Sequence, residues 1–298
     1  MALITDITEL SVIGARAQAY ADWFQLPLKD RTWRGNSGDF MGSGVGSSLD
    51  FQDHRTYLPG DDPRHINWQA YARTGNYSMK LYREEVRPMV EVVLDVSDSL
   101  FFDPEKAKRT LELFYFAHFS IVRAAASAVF YLVKGDQQLR ITPESLFSHQ
   151  WAGQAADLPA TESSVMPDLN PLPFRAQSLR ILISDLLYPA NPEQIIRELT
   201  RSKGGAIILS PFLQSESSPG WDGNYEFVDS EAVTRHDYRV DRNLLKRYQL
   251  AYQRHFESWK KTCQKYGLPL ARIPCEPAFE ASLQFEAISS GALQVSGG

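Results

Sequence analysis

Apolar and polar positions alternate along the chain in a way that predicts strands and helices in turn. Continuous apolar runs at 90–94, 127–133, 179–184, 206–209 and 270–273 have the length and composition of strands buried on both faces of a sheet. Between several of these runs, apolar residues recur at three- and four-residue spacing, as they do on one face of a helix. The order of the segments predicts an α/β protein.

Several predicted helices begin at sequences that are typical of helix N-termini. Asp-Pro at 103–104 and Asn-Pro at 191–192 each combine an N-cap residue with a proline at the first helical position. Asp241 opens a long amphipathic helix in the same way. Residues 1–26 predict either a helix pair or one helix that is broken at Gly14.

The predicted architecture is a doubly wound, mostly parallel sheet, with residues 139–142 as an antiparallel strand beside the second apolar run. In sheets of this kind, ligands bind beyond the carboxyl ends of the central strands, where the strand order reverses. Asp95 and Asp185 both stand at the ends of predicted strands. We therefore expect these two carboxylates to be neighbours in space, although they are far apart in sequence.

The chain divides into two predicted parts. Residues 89–298 form the α/β domain, and residues 1–88 form an N-terminal extension that packs on its sheet. Within the α/β domain, residues 151–178 are rich in Pro, Ser and Ala and lack periodicity. This composition predicts a long irregular loop, and loops of that length are often functional.

Composition and charge narrow the classes of function. The 298 residues carry a formal net charge of −5, which argues against a nucleic-acid partner and against general attraction to anionic membranes. Cys263 and Cys275 lack metal-type spacing, and the first residues lack the basic segment of a signal peptide. The apolar run at 114–133 has Arg123 near its middle, which disfavours a membrane span. We expect a soluble cytoplasmic protein without direct membrane insertion.

The candidate chemistry follows the first central strand. Asp95-x-Ser97-x-Ser99 places one carboxylate and two hydroxyls where they can turn toward a single point, and Asp185 adds a second strand-terminal carboxylate. Hard oxygen ligands of this kind suit Mg²⁺, with Mn²⁺ or Ca²⁺ as alternatives. Helix capping and turn formation are the structural alternative for the same residues.

The segment before this strand carries a more specific signature. Its residues are Asp50-Phe51, Arg55, Tyr57, Pro59-Gly60-Asp61-Asp62, Arg64, Ile66, Trp68, Ala72-Arg73, Lys80 and Glu84-Glu85, followed by Asp95-x-Ser97-x-Ser99. This run resembles the domain-of-unknown-function 58 family. The resemblance implies a von Willebrand factor type A-like fold and a pairing with MoxR-type AAA+ ATPases.

The resemblance also implies a metal-ion-dependent adhesion site. Ser97 and Ser99 would bind Mg²⁺ directly through their hydroxyls. Asp95 would act through the surrounding shell or through water, and Asp185 would match the acidic residue after the fourth strand. An open position on the ion would then accept a carboxylate from a partner protein.

The sequence departs from the family pattern at three points near this site. Asp98 stands where glycine is usual between the two serines, and Leu100 stands where methionine is common. The threonine that an intermediate loop contributes has no clear counterpart. Thr161, within the irregular residues 151–178, is the candidate for that ligand.

The signature has a structural explanation as well. Residues 59–63 have the Pro, Gly and Asp content of a turn, and Arg55, Arg64 and Arg73 can pair with neighbouring acids while Trp68 packs as a core residue. We favour this self-satisfied network over direct contact with a partner, because balanced Arg/Asp clusters usually satisfy one another.

Three functions are compatible with these features. The first is a non-enzymatic, Mg²⁺-dependent interaction module that links a MoxR-type AAA+ ATPase to a client protein during assembly or maturation. The second is a Mg²⁺-dependent phosphoryl-transfer hydrolase that uses Asp95 and Asp185, although Ser97 stands where such enzymes need a second carboxylate. The third is a structural subunit whose Asp95 cluster binds no metal. We expect the first, because residues for a named enzymatic mechanism are missing.

Overall fold

A computed structural model describes residues 5–28, 49–59, 62–84, 88–159, 166–189, 191–228 and 235–296. The chain forms two compact units, one comprising Met1–Gly35 and Pro88–Gly298 and the other Asn36–Arg87. Residues 5–28 fall in the first of these two units, together with the large sheet.

Strands and helices alternate through the described residues. The strands are β1 (Phe24–Gln25), β2 (Leu49–Thr56), β3 (Ser78–Glu84), β4 (Met89–Asp95), β5 (Ser127–Lys134), β6 (Gln137–Ile141), β7 (Leu179–Ile183), β8 (Gly205–Phe212), β9 (Gly223–Val228), β10 (Arg235–Val240), β11 (Leu270–Pro274) and β12 (Gln294–Val295). The α-helices are α1 (Ile7–Tyr20), α2 (Trp68–Thr74), α3 (Asp98–Phe101), α4 (Pro104–Arg123), α5 (Pro143–Phe147), α6 (Trp151–Ala156), α7 (Pro192–Thr200), α8 (Gln214–Ser217), α9 (Arg242–Lys265) and α10 (Phe279–Glu286).

The first unit is built on a six-stranded sheet in the order β11-β8-β7-β4-β5-β6. All neighbouring pairs are parallel except β5 and β6, which confirms the predicted mostly parallel sheet with an antiparallel edge. The strand order reverses between β4 and β7, the arrangement of Rossmann-like and von Willebrand factor A-like folds. Leu94 of β4 pairs with Ile183 of β7, so the ends of these two strands lie side by side.

Both faces of this sheet are covered by helices. Val92 and Leu94 face a core that includes residues of α1, α4 and α10, whereas Val93 faces a second core with residues of α7 and α9. This alternation follows from the two-residue period of a strand. Each buried aliphatic side chain of this size contributes roughly 1.5–3 kcal/mol relative to an exposed one.

The predicted N-caps of the long helices are confirmed. The Asp103 carboxylate accepts two backbone N–H groups at the start of α4, with Pro104 as the first helical residue. Asn191 and Asp241 cap α7 and α9 in the same manner. These caps satisfy donors that the helix itself leaves unpaired.

Two predictions about irregular segments were wrong. Residues 151–178 begin with α6, whose Trp151 is fully buried and donates its indole N–H to the Tyr115 hydroxyl over 3.1 Å. The helix α1 is also continuous, and Gly14 lies inside it against the ring of Tyr115. Gly14 therefore marks close packing between α1 and α4 and does not break the helix.

The second unit contains the part of the signature that precedes β4. Strands β2 and β3 pair in antiparallel fashion, and Asn67 caps the helix α2 between them. Trp68 is 58% exposed and meets Tyr77, which itself stacks on Tyr71 with the ring centroids 4.4 Å apart. The prediction that Trp68 is a core residue was wrong. The predicted pairing of Arg64 is present, since its guanidinium contacts the Asp62 carboxylate at 2.6 Å.

Within the described ranges, no helix combines the length and the apolarity that crossing a bilayer requires. The apolar run at 114–133 is divided between α4 and β5, and Arg123 at the end of α4 forms an ion pair with Asp22.

Candidate functional site

The candidate site lies where the strand order of the sheet reverses. Asp95 is the last residue of β4, Ser97 is the N-cap residue of α3, and Ser99 lies in the first turn of that helix. Asp185 lies two residues beyond the last residue of β7. Because β4 and β7 are parallel neighbours, the four predicted residues come to the same edge of the sheet.

Asp95 is a buried carboxylate held by two neutral donors. Its Oδ1 atom accepts the Ser97 backbone N–H at 3.0 Å, and its Oδ2 atom accepts the Ser184 hydroxyl at 2.7 Å. No salt bridge reaches Asp95 from the described part of the chain. Burial, and then the negative charge of Asp185, raise the pKa of Asp95 to about 7. Among the residues that the structure describes, no cationic side chain neutralises the charge of this carboxylate.

Ser97 and Ser99 form a hydroxyl pair beside this carboxylate. Their Oγ atoms are 3.1 Å apart and partly buried. Ser97 occupies the N-cap position of α3, but its side chain makes no capping hydrogen bond. The Ser97 hydroxyl therefore does not cap α3, and its hydrogen-bond partner is the Ser99 hydroxyl. Asp95 Oδ1, which accepts the Ser97 N–H, makes the kind of turn contact that the structural alternative predicts.

Asp185 is engaged differently from Asp95. Its Oδ1 atom accepts the Leu187 backbone N–H at 3.1 Å, and its Oδ2 atom accepts the ammonium of Lys106 at 2.7 Å. The same ammonium donates to Glu216 Oε1 at 2.6 Å. Asp185 is thus already paired with an internal cation.

Lys106, Ser184 and Glu216 were not among the residues predicted to form the site. Lys106 lies in the first turn of α4, and the sequence pattern around it does not show that its side chain is buried. Lysine at a buried helical position requires a paired acid. Which acid fills that role depends on distant segments, since Asp185 and Glu216 follow different strands.

Asp98, which stands where the family has glycine, lies outside this buried network. Its carboxylate forms an ion pair of 3.0 Å with Lys134 at the end of β5, and its side chain is 46% exposed. This departure from the family pattern adds a surface ion pair, which contributes little to stability.

Tyr188 adds a polar atom close to the two carboxylates. Its hydroxyl is buried and has no hydrogen-bond partner among the described residues. Burial, with the charges of Asp95 and Asp185, raises the pKa of Tyr188 well above its usual value.

The donor set as a whole fits a hard divalent cation bound mainly through Asp95, Ser97 and Ser99. In the described ranges, no group of three or more His, Cys, Asp or Glu side chains is arranged to hold a metal ion. Mg²⁺ does not need such a group, because it keeps several waters and takes only a few protein oxygens. Thr161, the predicted third-loop ligand, lies outside the described residues. As metal ligands, these residues remain a prediction.

The class of protein that these features define is an α/β protein with a candidate ligand site at the switch point of its sheet. Residues 53–258, more than half of the chain, match the family described as "Protein of unknown function DUF58". The chain therefore belongs to the DUF58 family. This result confirms the family that the signature predicted.

Relatives of similar length occur in mycobacteria. Uncharacterized protein Rv1480 of Mycobacterium tuberculosis and uncharacterized protein Mb1516 of Mycobacterium bovis are each 24% identical over 258 residues. Each match covers 79% of this chain and 78% of the relative.

Two solved structures from Bacteroides were compared with the chain. One is an aerotolerance-related membrane protein from Bacteroides fragilis, with a TM-score of 0.34, 11% identity, and coverage of 68% of this chain and 99% of that chain. The other is the conserved hypothetical protein BatB from Bacteroides thetaiotaomicron, with a TM-score of 0.34, 9% identity, and coverage of 69% and 98%. The family assignment rests on the sequence match and not on these superpositions.

Proposed function

We propose that this DUF58 protein is a von Willebrand factor A-like interaction module that binds a partner protein through a Mg²⁺-dependent surface. In this proposal it acts in the cytoplasm as a non-enzymatic adaptor for a MoxR-type AAA+ ATPase. The ATPase would supply the hydrolysis, and the adaptor would present a client protein for assembly or maturation.

One observation carries the proposal. Asp95 is a fully buried carboxylate without a cationic partner in the described residues, and the Ser97 and Ser99 hydroxyls lie beside it with their Oγ atoms 3.1 Å apart. An uncompensated buried charge is expensive, so a cation at this position would relieve a cost that the fold already bears.

The residues of the site would have different roles in binding Mg²⁺. The two hydroxyls are neutral ligands, and Asp95 lends negative charge while its oxygens remain hydrogen-bonded to Ser97 N–H and Ser184. A Mg²⁺ held by few charged ligands stays electrophilic and attracts a carboxylate oxygen from outside the chain. The partner group that suits this surface is therefore an Asp or Glu side chain.

The identity of the partner rests on family membership. The signature residues and the match over residues 53–258 place the chain in the DUF58 family. The resemblance described above implies MoxR-type AAA+ ATPases as partners of that family. The client protein is left open.

The contacts of the acidic residues favour binding over phosphoryl transfer. A D-x-D-x-T hydrolase needs a second carboxylate at the position of Ser97. Asp185 is paired with the buried ammonium of Lys106, so it could hold Mg²⁺ beside Asp95 only if that ion pair were broken. Phosphatase and nuclease assays with Mg²⁺ or Mn²⁺ would detect the alternative activity.

The proposal is tested by measuring the affinity of the purified chain for the MoxR-type ATPase of the same organism, in Mg²⁺ and then in EDTA. We expect EDTA and Ser99→Ala each to weaken binding by about tenfold or more, since loss of a direct ligand costs at least about 1.4 kcal/mol. Ser289→Ala, at an exposed serine beyond α10, is the matched control and should bind as the wild type does.

The dependence of partner binding on salt concentration tests the proposal independently. A direct coordination bond is screened less than a diffuse charge contact, so the Mg²⁺-dependent part of the affinity should persist when the ionic strength is raised. Equal binding in Mg²⁺ and EDTA, by wild type and Ser99→Ala alike, would show that the interface lies elsewhere.

A further inference from the structure

Lys106 is a buried cation at the edge of the candidate metal site. Its side chain is fully buried in the first turn of α4, and its Nζ atom lies 2.7 Å from Asp185 Oδ2 and 2.6 Å from Glu216 Oε1. Burial alone would lower the pKa of Lys106, but the charges of Asp185 and Glu216 outweigh burial and raise it above its usual value. Two carboxylate oxygens within 2.7 Å of Nζ favour the charged ammonium form of Lys106.

Hydrogen bonds to Glu216 hold in place one of the two carboxylates that bind Lys106. Glu216 Oε2 accepts the Leu213 backbone N–H at 3.0 Å. The carboxylate that binds Lys106 therefore also satisfies the backbone N–H of the N-cap residue of α8. The Tyr248 hydroxyl donates to the Glu216 backbone carbonyl at 2.7 Å and joins this turn to α9. A lysine held in this way is part of a built network and is not a mobile surface residue.

The ammonium compensates the charge of one strand-terminal carboxylate, whereas the other has no cationic partner among the described residues. Asp185 and Glu216 share Lys106, whereas Asp95 has only neutral donors in the described chain. A divalent cation that recruited Asp185 would have to displace this ammonium or lie close to it. Either outcome opposes metal binding, because like charges repel strongly where water is excluded.

We propose that Lys106 sets the metal affinity of this site by acting as an internal competitor for Asp185. The inference deepens the proposed function and rests on it. Asp95, Ser97 and Ser99 bind the cation, while Lys106 withholds Asp185 and keeps the binding weak. A carboxylate of the partner then supplies the negative charge that Asp185 would otherwise supply to the metal. Tight metal binding therefore requires the partner.

Mn²⁺ binding by the full chain, measured by calorimetry, tests this proposal. Lys106→Gln removes the ammonium and leaves Asp185 available, so it should tighten Mn²⁺ binding by about tenfold or more, or about 1.4 kcal/mol. The double variant Lys106→Gln/Asp185→Asn should lose that gain, because the released carboxylate is replaced by an amide. Unchanged or weaker Mn²⁺ binding by a folded Lys106→Gln chain would overturn the inference.

The stability of Lys106→Gln gives a second measurement of the same effect. Loss of Lys106 leaves Asp185 and Glu216 without a cation, so Lys106→Gln should be less stable in EDTA. If it does not fold in EDTA, Mn²⁺ at millimolar concentration should restore the far-ultraviolet circular dichroism of the wild type, because the metal takes the place of the ammonium. A chain that stays unfolded with and without Mn²⁺ would count against the inference.

Ser97→Ala separates this inference from the proposed function. Wild-type Mn²⁺ binding that Ser97→Ala does not weaken would show that the proposed metal site is wrong. Loss of binding in Ser97→Ala, with no gain in Lys106→Gln, would leave the proposed function in place and reject the competitor role of Lys106.

Discussion

Ser184 donates its hydroxyl to Asp95 Oδ2 over 2.7 Å, and this bond joins the ends of β7 and β4 at the switch point of the sheet. Both residues are fully buried. The pairing of Leu94 with Ile183 places the two next residues side by side. The register of the central strands thus determines the donor that holds the candidate metal-site carboxylate.

Ser184→Ala tests the importance of this hydrogen bond. The substitution leaves a buried carboxylate oxygen without its donor, and such a loss should lower the free energy of unfolding by about 1.5–3 kcal/mol. The loss should be greater above pH 7 than below it, because a hydrogen bond to an ionised acceptor is stronger than one to a neutral acceptor. Urea denaturation at two pH values measures both effects, with the exposed Ser289→Ala as the control.

Mg²⁺ should stabilise the native chain through Asp95. A ligand that binds only the folded state adds about 2.7 kcal/mol at roughly a hundredfold excess over its Kd. Asp95→Ala should remove that increment and leave the chain folded. Thermal unfolding of both proteins in Mg²⁺ and in EDTA is the measurement, and an identical Mg²⁺ response in the two would argue against the site.

The pH dependence of stability in EDTA should report on Asp95. Its pKa is about 7 in the folded chain, against about 3.9 in an unfolded chain. Between these values the folded state holds the proton more tightly, so the contribution of Asp95 is present at about pH 4 and is lost as the pH rises through 7. Asp95→Asn should remove this decline, which we expect to amount to a few kcal/mol.

Two partly buried histidines change the stability in the opposite direction over part of the same pH range. Burial lowers the pKa of both His118 and His149, so their contribution is lost as the pH falls below about 6.5. Wild type and Asp95→Asn share these histidines. The difference between the two stability curves therefore isolates Asp95, and parallel curves from pH 4 to 7 would contradict the prediction.

Gly204 should be intolerant of any side chain. A Cβ atom at this position would lie 2.6 Å from the guanidinium of Arg180, which is buried and contacts Glu91. Gly204→Ala should therefore destabilise the chain by about 1–3 kcal/mol through overpacking. Gly153→Ala is the control, since a Cβ there meets open space inside α6 and should be neutral or stabilising by up to about 1 kcal/mol.

Alanine substitutions of Trp68 and Trp151 should have very different effects on the free energy of unfolding. Trp68 is 58% exposed, whereas Trp151 is 0% exposed. Trp151→Ala should lower the free energy of unfolding by about 3–5 kcal/mol. Trp68→Ala should change it by less than about 1 kcal/mol and should weaken partner binding if the signature surface contacts the ATPase. A large loss of stability in Trp68→Ala would restore the structural explanation of the signature.

The sequence by itself determined the local elements, the order in which they follow one another, and the family. Apolar strands bounded by capped helices predicted a mostly parallel sheet, because periodicity and capping depend on neighbours within one segment. The same order placed Asp95 and Asp185 at one edge of that sheet. The signature before β4 predicted the family that the match over residues 53–258 confirmed.

Only the tertiary structure decided how each charge at that edge is compensated. Lys106, Glu216 and Ser184 come from separate segments, and their contacts with the two aspartates depend on strand register and helix packing. A hydroxyl or an ammonium can be satisfied by many partners, so sequence does not specify which one it meets. For this reason the sequence predicted that two strand-end carboxylates are neighbours but not how each is compensated, whereas the fold pairs Asp185 with a lysine and gives Asp95 neutral donors among the described residues.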